Sequence, residues 1–459
     1  MVLCCGSRRD KTVVHFSPDS VKLPTGLANA NTNTTSLKEL VKTRCPSLFT
    51  DFETKWWLNS GHVQTIYSVF ADLTKTDQVR YRRQYLRLVD GGTLGLDFAP
   101  IDNQPPDGTP IIVVSHGLTG NSDEPYVKAI VSRATAPVTR GGLGYRAVVV
   151  HHRGCGGTPI TSQRFYTAGE TEDLRQALVY LSYKYPRAPL HGLGFSLGAN
   201  MITRYVAQEG TKSRLWSACV LANPWDFNAN SIALNSTYHG YYIYNRALGH
   251  NTKTLVTRHL AVLTTPDTTH PMATYAHRLM SLPNPTLTEY DDAFSRFVGG
   301  REGWESERKD EEYYPFENVT KFYDHVSSHH LMHKVKVPLL GINAKDDPIV
   351  QHIPTMGDGG EDEESPCTVM AITAGGGHLG WFTDGSGDRW TTRPVVEWFK
   401  MVVEDIQWEQ IDIERGARVY VDGEGFIREE GRPLLGCKEV EEGGVVNGNG
   451  GEKAVLRGL

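Results

Sequence analysis

Residues Gly194-Phe195-Ser196-Leu197-Gly198 read G-x-S-x-G, the spacing of a nucleophile elbow. A serine at that position sits on a sharp strand-to-helix turn that presents its hydroxyl at the end of the strand. Glycine on either side suits such a turn, which leaves little room for a Cβ near the serine backbone. The helix that follows would offer a backbone N–H, that of Leu197, to the oxyanion of a tetrahedral intermediate. An ordinary turn beside a strand can carry the same letters, so the pentapeptide alone leaves both readings open.

A serine hydroxyl needs a neighbouring base, itself oriented by an acid. Downstream, the apolar run Val337–Asn343 ends in Ala344-Lys345-Asp346-Asp347-Pro348-Ile349-Val350, which places a carboxylate just past a strand end. A second run, Thr368–Ile372, ends in Gly375-Gly376-Gly377-His378-Leu379-Gly380, so an imidazole follows the next strand on a glycine-rich loop. The chain order Ser, Asp, His is that of serine esterases built on a parallel sheet. Ser196 is therefore expected as nucleophile, His378 as base and Asp347 as acid. Asp347 is preferred because it precedes Pro348-Ile349-Val350, and Asp346 is expected to cap the turn or face solvent. Upstream, Ile111–Val114 leads into Ser115-His116-Gly117-Leu118-Thr119-Gly120. That segment could supply a second oxyanion donor, the backbone N–H of Leu118, although a plain glycine turn has the same pattern.

These residues need a scaffold that brings several strand ends to one edge. Strand-like runs at Ile111–Val114, Ala147–His151, Leu190–Phe195, Ala218–Ala222, Val337–Ile342 and Thr368–Ile372 supply it. Helical periodicity appears at Glu172–Lys184 and Ala199–Gln208, and half-buried alternation between Tyr81 and Phe98. The alternation of β and α predicts an α/β fold whose mostly parallel sheet carries helices on both faces. Residues 1–45 read as a polar N-terminal segment and 46–410 as the catalytic domain. Between Pro224 and Lys336 the alternation breaks, with helix-like pieces at Ser231–Leu248 and Thr252–Leu263. This insertion is expected to form a cap over the catalytic edge. Its aromatic residues (Tyr241, Tyr242, Tyr244, Phe294, Phe297, Tyr313, Tyr314, Phe316) either line an acyl pocket or fasten the cap. Residues 411–459, rich in Gly and Glu towards their end, read as a disordered tail.

The 459 residues carry a net charge of −6, which argues against a general nucleic-acid binder. No apolar run reaches the length of a spanning helix, and the N-terminus lacks the apolar core of a secretory signal. Seven scattered cysteines show no disulfide framework, so an intracellular setting is expected, cytoplasmic or peripherally membrane-associated. Cys4-Cys5 could accept palmitate, although adjacent cysteines more often carry no lipid. His329, His330 and His333 lack the spacing of a zinc site, and no metal or dissociable cofactor is expected. His151-His152-Arg153-Gly154-Cys155-Gly156-Gly157 lacks a dinucleotide-loop spacing and reads as a structural turn after a strand. Trp381 and Phe382 are expected to seat the histidine loop.

Taken in combination, six motifs resemble the abhydrolase family. That family includes bacterial hydrolases, animal abhydrolase-domain lipid hydrolases and fungal medium-chain ethanol O-acyltransferase/esterases. The motifs are Trp57-Leu58-Asn59-Ser60-Gly61-His62-Val63-Gln64-Thr65, His116–Gly120, His152–Gly157, Gly194–Gly198, Asn343–Pro348 and Gly377–Gly380, and the likeness runs from about Pro46 to about Trp408. The resemblance implies an α/β-hydrolase fold and the triad Ser196, Asp347 and His378, with no cofactor. It further implies a medium-chain acyl ester or acyl-CoA as substrate, water or a short alcohol as acceptor, and peripheral contact with a membrane or lipid droplet. The H-x-x-x-x-D acyltransferase motif of some animal members is missing. Two other readings stay open: a phospholipase or monoacylglycerol lipase, and a non-catalytic binding protein of the same fold.

Overall fold

The computed structural model describes residues 9–10, 12–26, 34–73, 76–102, 104–265, 271–299, 314–353, 365–411 and 414–447. Its main sheet has twelve strands. They are β1 (Val13–Phe16), β2 (Arg80–Leu88), β3 (Thr93–Ala99), β4 (Ile111–Ser115), β5 (Arg146–Val150), β6 (Leu190–Phe195), β7 (Leu215–Leu221), β8 (Leu339–Ala344), β9 (Thr368–Thr373), β10 (Val419–Val421), β11 (Ile427–Glu429) and β12 (Cys437–Asn447). The spatial order is β10-β11-β12-β2-β3-β5-β4-β6-β7-β8-β9-β1. The block β5-β4-β6-β7-β8-β9 is parallel, and the strands flanking it pair antiparallel. The helices that position the site are α1 (Leu37–Arg44), α2 (Gly61–Phe70), α3 (Pro125–Thr135), α4 (Glu172–Lys184), α5 (Leu197–Glu209), α6 (Phe227–Ser236), α7 (Arg246–Arg258), α8 (Met272–Met280), α9 (Val319–Val326) and α10 (Thr392–Glu404).

The central strands are apolar on both faces because both are covered. Successive side chains of a strand point to opposite sides. Ile112, Val114, Val149, Leu193 and Ile342 accordingly join a core with α1, α3 and α10. Ile111, Val113, Val148, Leu190 and Leu339 join a second core with α4 and α5 on the other face. The β-branched runs read as strands from the sequence are the buried ones.

Three parts of the sequence reading need correction. Residues 411–459 are not a uniformly disordered tail. β10, β11 and β12 extend the sheet, and β12 pairs antiparallel with β2 from Cys437 opposite Leu88 to Asn447 opposite Arg80. A composition argument weighs side-chain burial, whereas an added strand gains backbone hydrogen bonds from an edge that already exists. Buried Ile427 and Cys437 anchor the addition, and residues 448–459 lie outside the described set. The segment before Pro46 is more than a polar N-terminal segment, since β1 pairs with β9 and α1 packs on the core. Cys4, Cys5 and residues 29–33 fall outside the described residues.

The insertion between β7 and β8 is helical, but Ser231–Leu248 is two helices rather than one. α6 stops at Ser236, and a π-turn at Gly240–Asn245 leads into α7. α7 then runs through Thr252 to Arg258, with a short turn at Leu260–Leu263 beyond it. His329–His333 lie in a 3-10 turn, with His329 Nδ1 3.1 Å from the Trp225 carbonyl. No helix among the described residues is long and apolar enough to cross a membrane.

Candidate active site

Ser196 lies where β6 ends and α5 begins, with φ 51° and ψ −118°. A positive φ on a non-glycine residue is strained and persists only where surrounding structure enforces it. Here the Ser196 N–H is tied to the Leu221 carbonyl of β7 at 2.9 Å. The flanking glycines are required by contact as well as by the turn. A Cβ on Gly194 would stand 2.5 Å from Ala199 Cα, and one on Gly198 would stand 2.2 Å from the Ser115 carbonyl.

His378 follows β9 and Asp347 follows β8, both buried and both delivered to the same sheet edge as Ser196. His378 Nε2 is 2.9 Å from Ser196 Oγ, and its Nδ1 is 2.8 Å from Asp347 Oδ2. The other Asp347 oxygen accepts the N–H groups of Ile349 and Val350 at 2.8 and 2.9 Å. That is the physical content of the Pro348-Ile349-Val350 context, since the turn itself holds the carboxylate with one oxygen aimed at the imidazole.

The backbone N–H groups of Leu118 and Leu197 have no hydrogen-bond acceptor among the described residues. Both residues line the cavity that also touches Ser196. The Leu118 loop is fixed from several sides. Tyr166 donates its hydroxyl to the Leu118 carbonyl, and the Gly117 N–H reaches Tyr126 Oη at 3.2 Å. Beneath it the His116 and His152 rings pack 4.3 Å apart. Burial and the neighbouring histidines hold His116 well below the ordinary histidine range, and burial takes His152 down to about 4. His151, Arg83 and Ser122 all bind the fully buried Asp97. The His151–Gly157 motif is therefore a support under the Leu118 loop, and Arg153 is tied to Asp173 by two bonds of 2.7 Å.

Sequence reasoning gave no role to α2, which grips the histidine loop. Thr65 Oγ1 accepts the His378 N–H at 2.9 Å and donates to the Gly61 carbonyl at 2.7 Å. Gln64 Oε1 accepts the Phe382 N–H at 2.8 Å while its amide donates to the carbonyls of Leu58 and Phe382. Gly61 and Gly377 meet backbone to backbone. A Cβ on Gly61 would stand 1.8 Å from the Asp346 carbonyl, and one on Gly377 would stand 2.4 Å from that of Gly61. Asp346 does more than face solvent, because its Oδ1 accepts the Gly377 N–H at 2.9 Å. The available signal was Gln64 and Thr65, polar residues buried within the aromatic-rich segment 56–70. Trp381, also buried, donates to Thr373 Oγ1 at 2.8 Å and seats the far end of the loop.

The cap closes a cavity over Ser196, but not with the aromatic residues named from the sequence. Phe294, Tyr314 and Phe316 pack with Phe165, Phe322 and His325 inside the cap. Tyr242 is largely exposed, Tyr244 stacks on His62, and Tyr313 lies outside the described residues. The aromatic residues that do line the cavity are Tyr166, Phe227, Tyr290 and Tyr323.

Residues 110–384 match the family described as alpha/beta hydrolase fold. The chain is similar to the Saccharomyces cerevisiae protein named monoacylglycerol lipase, 28% identical over 413 residues, covering 81% of this chain and 85% of that one. It is 30% identical over 359 residues to an abhydrolase domain-containing protein of Dictyostelium discoideum, covering 77% of this chain and 82% of that one. A third relative, medium-chain fatty acid ethyl ester synthase/esterase 2 of S. cerevisiae, is 26% identical over 410 residues and covers 76% of this chain and 85% of its own.

Proposed function

The chain belongs to the alpha/beta hydrolase fold family, and from that premise we propose that it is a serine ester hydrolase acting on lipid-like acyl esters through an acyl-serine. One observation carries this reading: His378 bridges Ser196 and Asp347 at 2.9 and 2.8 Å beside two unengaged backbone N–H groups. In the proposed cycle Ser196 Oγ attacks the ester carbonyl carbon as its proton passes to His378 Nε2. Asp347 holds the resulting imidazolium. The negative oxygen of the tetrahedral intermediate takes the N–H groups of Leu118 and Leu197, each worth about 3 kcal/mol of barrier. The bond to the leaving alcohol breaks and His378 returns the proton to that oxygen. Water, or a short alcohol, then attacks the acyl carbonyl while His378 accepts its proton and hands it back to Ser196.

The substrate class proposed is a medium-chain acyl ester or acyl-CoA thioester. The mainly aliphatic surface beside Ser196 supports an acyl chain there, and the name of the yeast ethyl ester synthase/esterase supports chain length and alcohol transfer. A fluorophosphonate probe should label Ser196. A chain-length series of p-nitrophenyl esters should peak at medium chains, and added ethanol should divert product from free acid to ethyl ester. Absence of label would overturn the hydrolase reading, and free acid alone at every ethanol concentration would remove the transfer half.

A further inference from the structure

The cavity beside Ser196 has two unlike walls. Leu118, Leu197, Leu234, Leu248, Ile349 and Val350 make one of them apolar. Leu234 and Leu248 come from the cap, and other cap residues contribute the second wall, a hydrogen-bonding surface. Tyr323 of α9 donates its hydroxyl to Asp291 Oδ2 at 2.8 Å. Ser295 bonds the same carboxylate, and the hydroxyls of Ser231 and Thr288 stand 3.1 Å apart within reach of Tyr323. All five residues line the cavity.

Asp291 is the anomaly. It is 8% exposed, and among the described residues no lysine or arginine pairs with it. A buried carboxyl without a cation is unfavourable and is kept only where something compensates. Burial, against the bonds from Ser295 and Tyr323, pushes its carboxyl up to about 7. Asp291 and Ser295 also begin and end a π-turn, a backbone irregularity that often marks functional positions. An acyl chain laid against this wall would strip its polar groups of water and return nothing.

We propose that the cap wall of Asp291, Tyr323, Thr288 and Ser231 is a polyol subsite that binds the free hydroxyls of a glycerol monoester while the apolar wall carries the acyl chain. The inference rests on Ser196 as nucleophile and adds the alcohol half of the substrate. A neutral polyol suits the wall, since its hydroxyls can donate to Asp291 or to the Tyr323 oxygen and accept from Thr288 or Ser231. A phosphate-bearing headgroup would set an anion beside a carboxyl group with no cation to offset it, so this wall selects against it.

The test uses the full chain and three substrates with the same medium acyl chain: a glycerol monoester, an ethyl ester and a glycerophosphate monoester. Wild-type kcat/KM should be highest for the glycerol monoester, by about tenfold over the ethyl ester, and lowest for the phosphate-bearing one. In Tyr323→Phe and in Thr288→Val the ratio of glycerol monoester to ethyl ester should fall about tenfold, and Asp291→Asn should lower it as well. Tyr323→Phe and Thr288→Val decide the matter if the Asp291 variant does not fold. A ratio unchanged in both, or a wild-type preference for the phosphate-bearing ester, overturns the subsite. Fluorophosphonate labelling separates the two claims. An unlabelled wild type overturns the nucleophile, whereas a labelled enzyme with an unmoved ratio overturns the subsite alone.

Discussion

The sheet edge, through Ser196, and the cap wall both border one cavity, yet they are held by different means. At the sheet edge, backbone does the positioning. The turns after β6, β8 and β9 aim Ser196, Asp347 and His378, and α2 clamps the last of these through Thr65, Gln64 and a glycine contact. In the cap wall, side chains from α6, from 288–295 and from α9 hold one another, with Tyr323 on Asp291 and Ser231 on Thr288. The first arrangement tolerates almost no displacement, as close-packed backbone has nowhere to move. The second can be re-tuned one side chain at a time. If both proposals hold, the chemistry is fixed in the rigid region and substrate choice is set in the adjustable one.

The contrast is broken most directly at Ser196. Ser196→Ala should lower turnover by about 10⁶-fold and abolish fluorophosphonate labelling, with the unfolding midpoint little changed. Retained esterase activity with label on another serine would move the chemistry away from the sheet edge altogether.

The two adjacent carboxylates come next. Asp347→Asn removes the acceptor of the His378 Nδ1–H and should cost about 10⁴-fold in turnover. Asp346→Asn keeps an oxygen for the Gly377 N–H and should cost far less, within about tenfold. Steady-state kinetics on both variants decides the assignment, and a reversed order would exchange their roles.

The cap wall gives a pH-dependent signal in stability. Asp291 holds its proton up to about 7 in the folded chain, against an ordinary value of 3.8. Between those values the folded state binds more protons than the unfolded one, so stability falls as pH rises and levels off above about 7. Asn has no proton to lose. The stability gained by Asp291→Asn over wild type should therefore grow from pH 4 to pH 7.5, by at most about 4 kcal/mol. Denaturant unfolding at the two pH values measures it, and a difference that is flat or shrinks with pH would place the ionised carboxyl in a compensated site.

What could be read from the sequence divides along the same line. The parallel strands, the elbow, the acid turn and the histidine loop were legible because each is a local pattern: a buried β-branched run, a glycine pair, a carboxylate before Pro348. Glu172–Lys184 was read to the residue. The grip of α2 was not legible, because Thr65 meets His378 across more than 300 positions of chain. The polar cap wall was hidden for the same reason. Ser231, Thr288, Asp291 and Tyr323 are unremarkable singly and converge only in three dimensions. Aromatic content pointed instead to residues such as Phe294 and Phe316, whose bulk serves the cap's own core. At the chain ends, β1 and β12 join by backbone pairing, which leaves little trace in composition.

The smallest effect tests whether α2 positions the histidine or merely packs beside it. Thr65 is fully buried, and its hydroxyl is the acceptor for the His378 backbone N–H. Thr65→Val keeps the shape and removes that acceptor, leaving a buried N–H unsatisfied at a cost of about 1–3 kcal/mol. A loop freed at that point lets the imidazole drift from Ser196 Oγ, so the loss should fall on kcat with KM nearly unchanged. Thr65→Ser restores an oxygen at the same place and should recover most of the turnover. A purely packing role predicts the opposite pattern, with the isosteric valine close to wild type and the smaller serine the more damaged of the two. Kinetics and unfolding midpoints on that pair of variants separate a clamp on the catalytic loop from a filler beneath it.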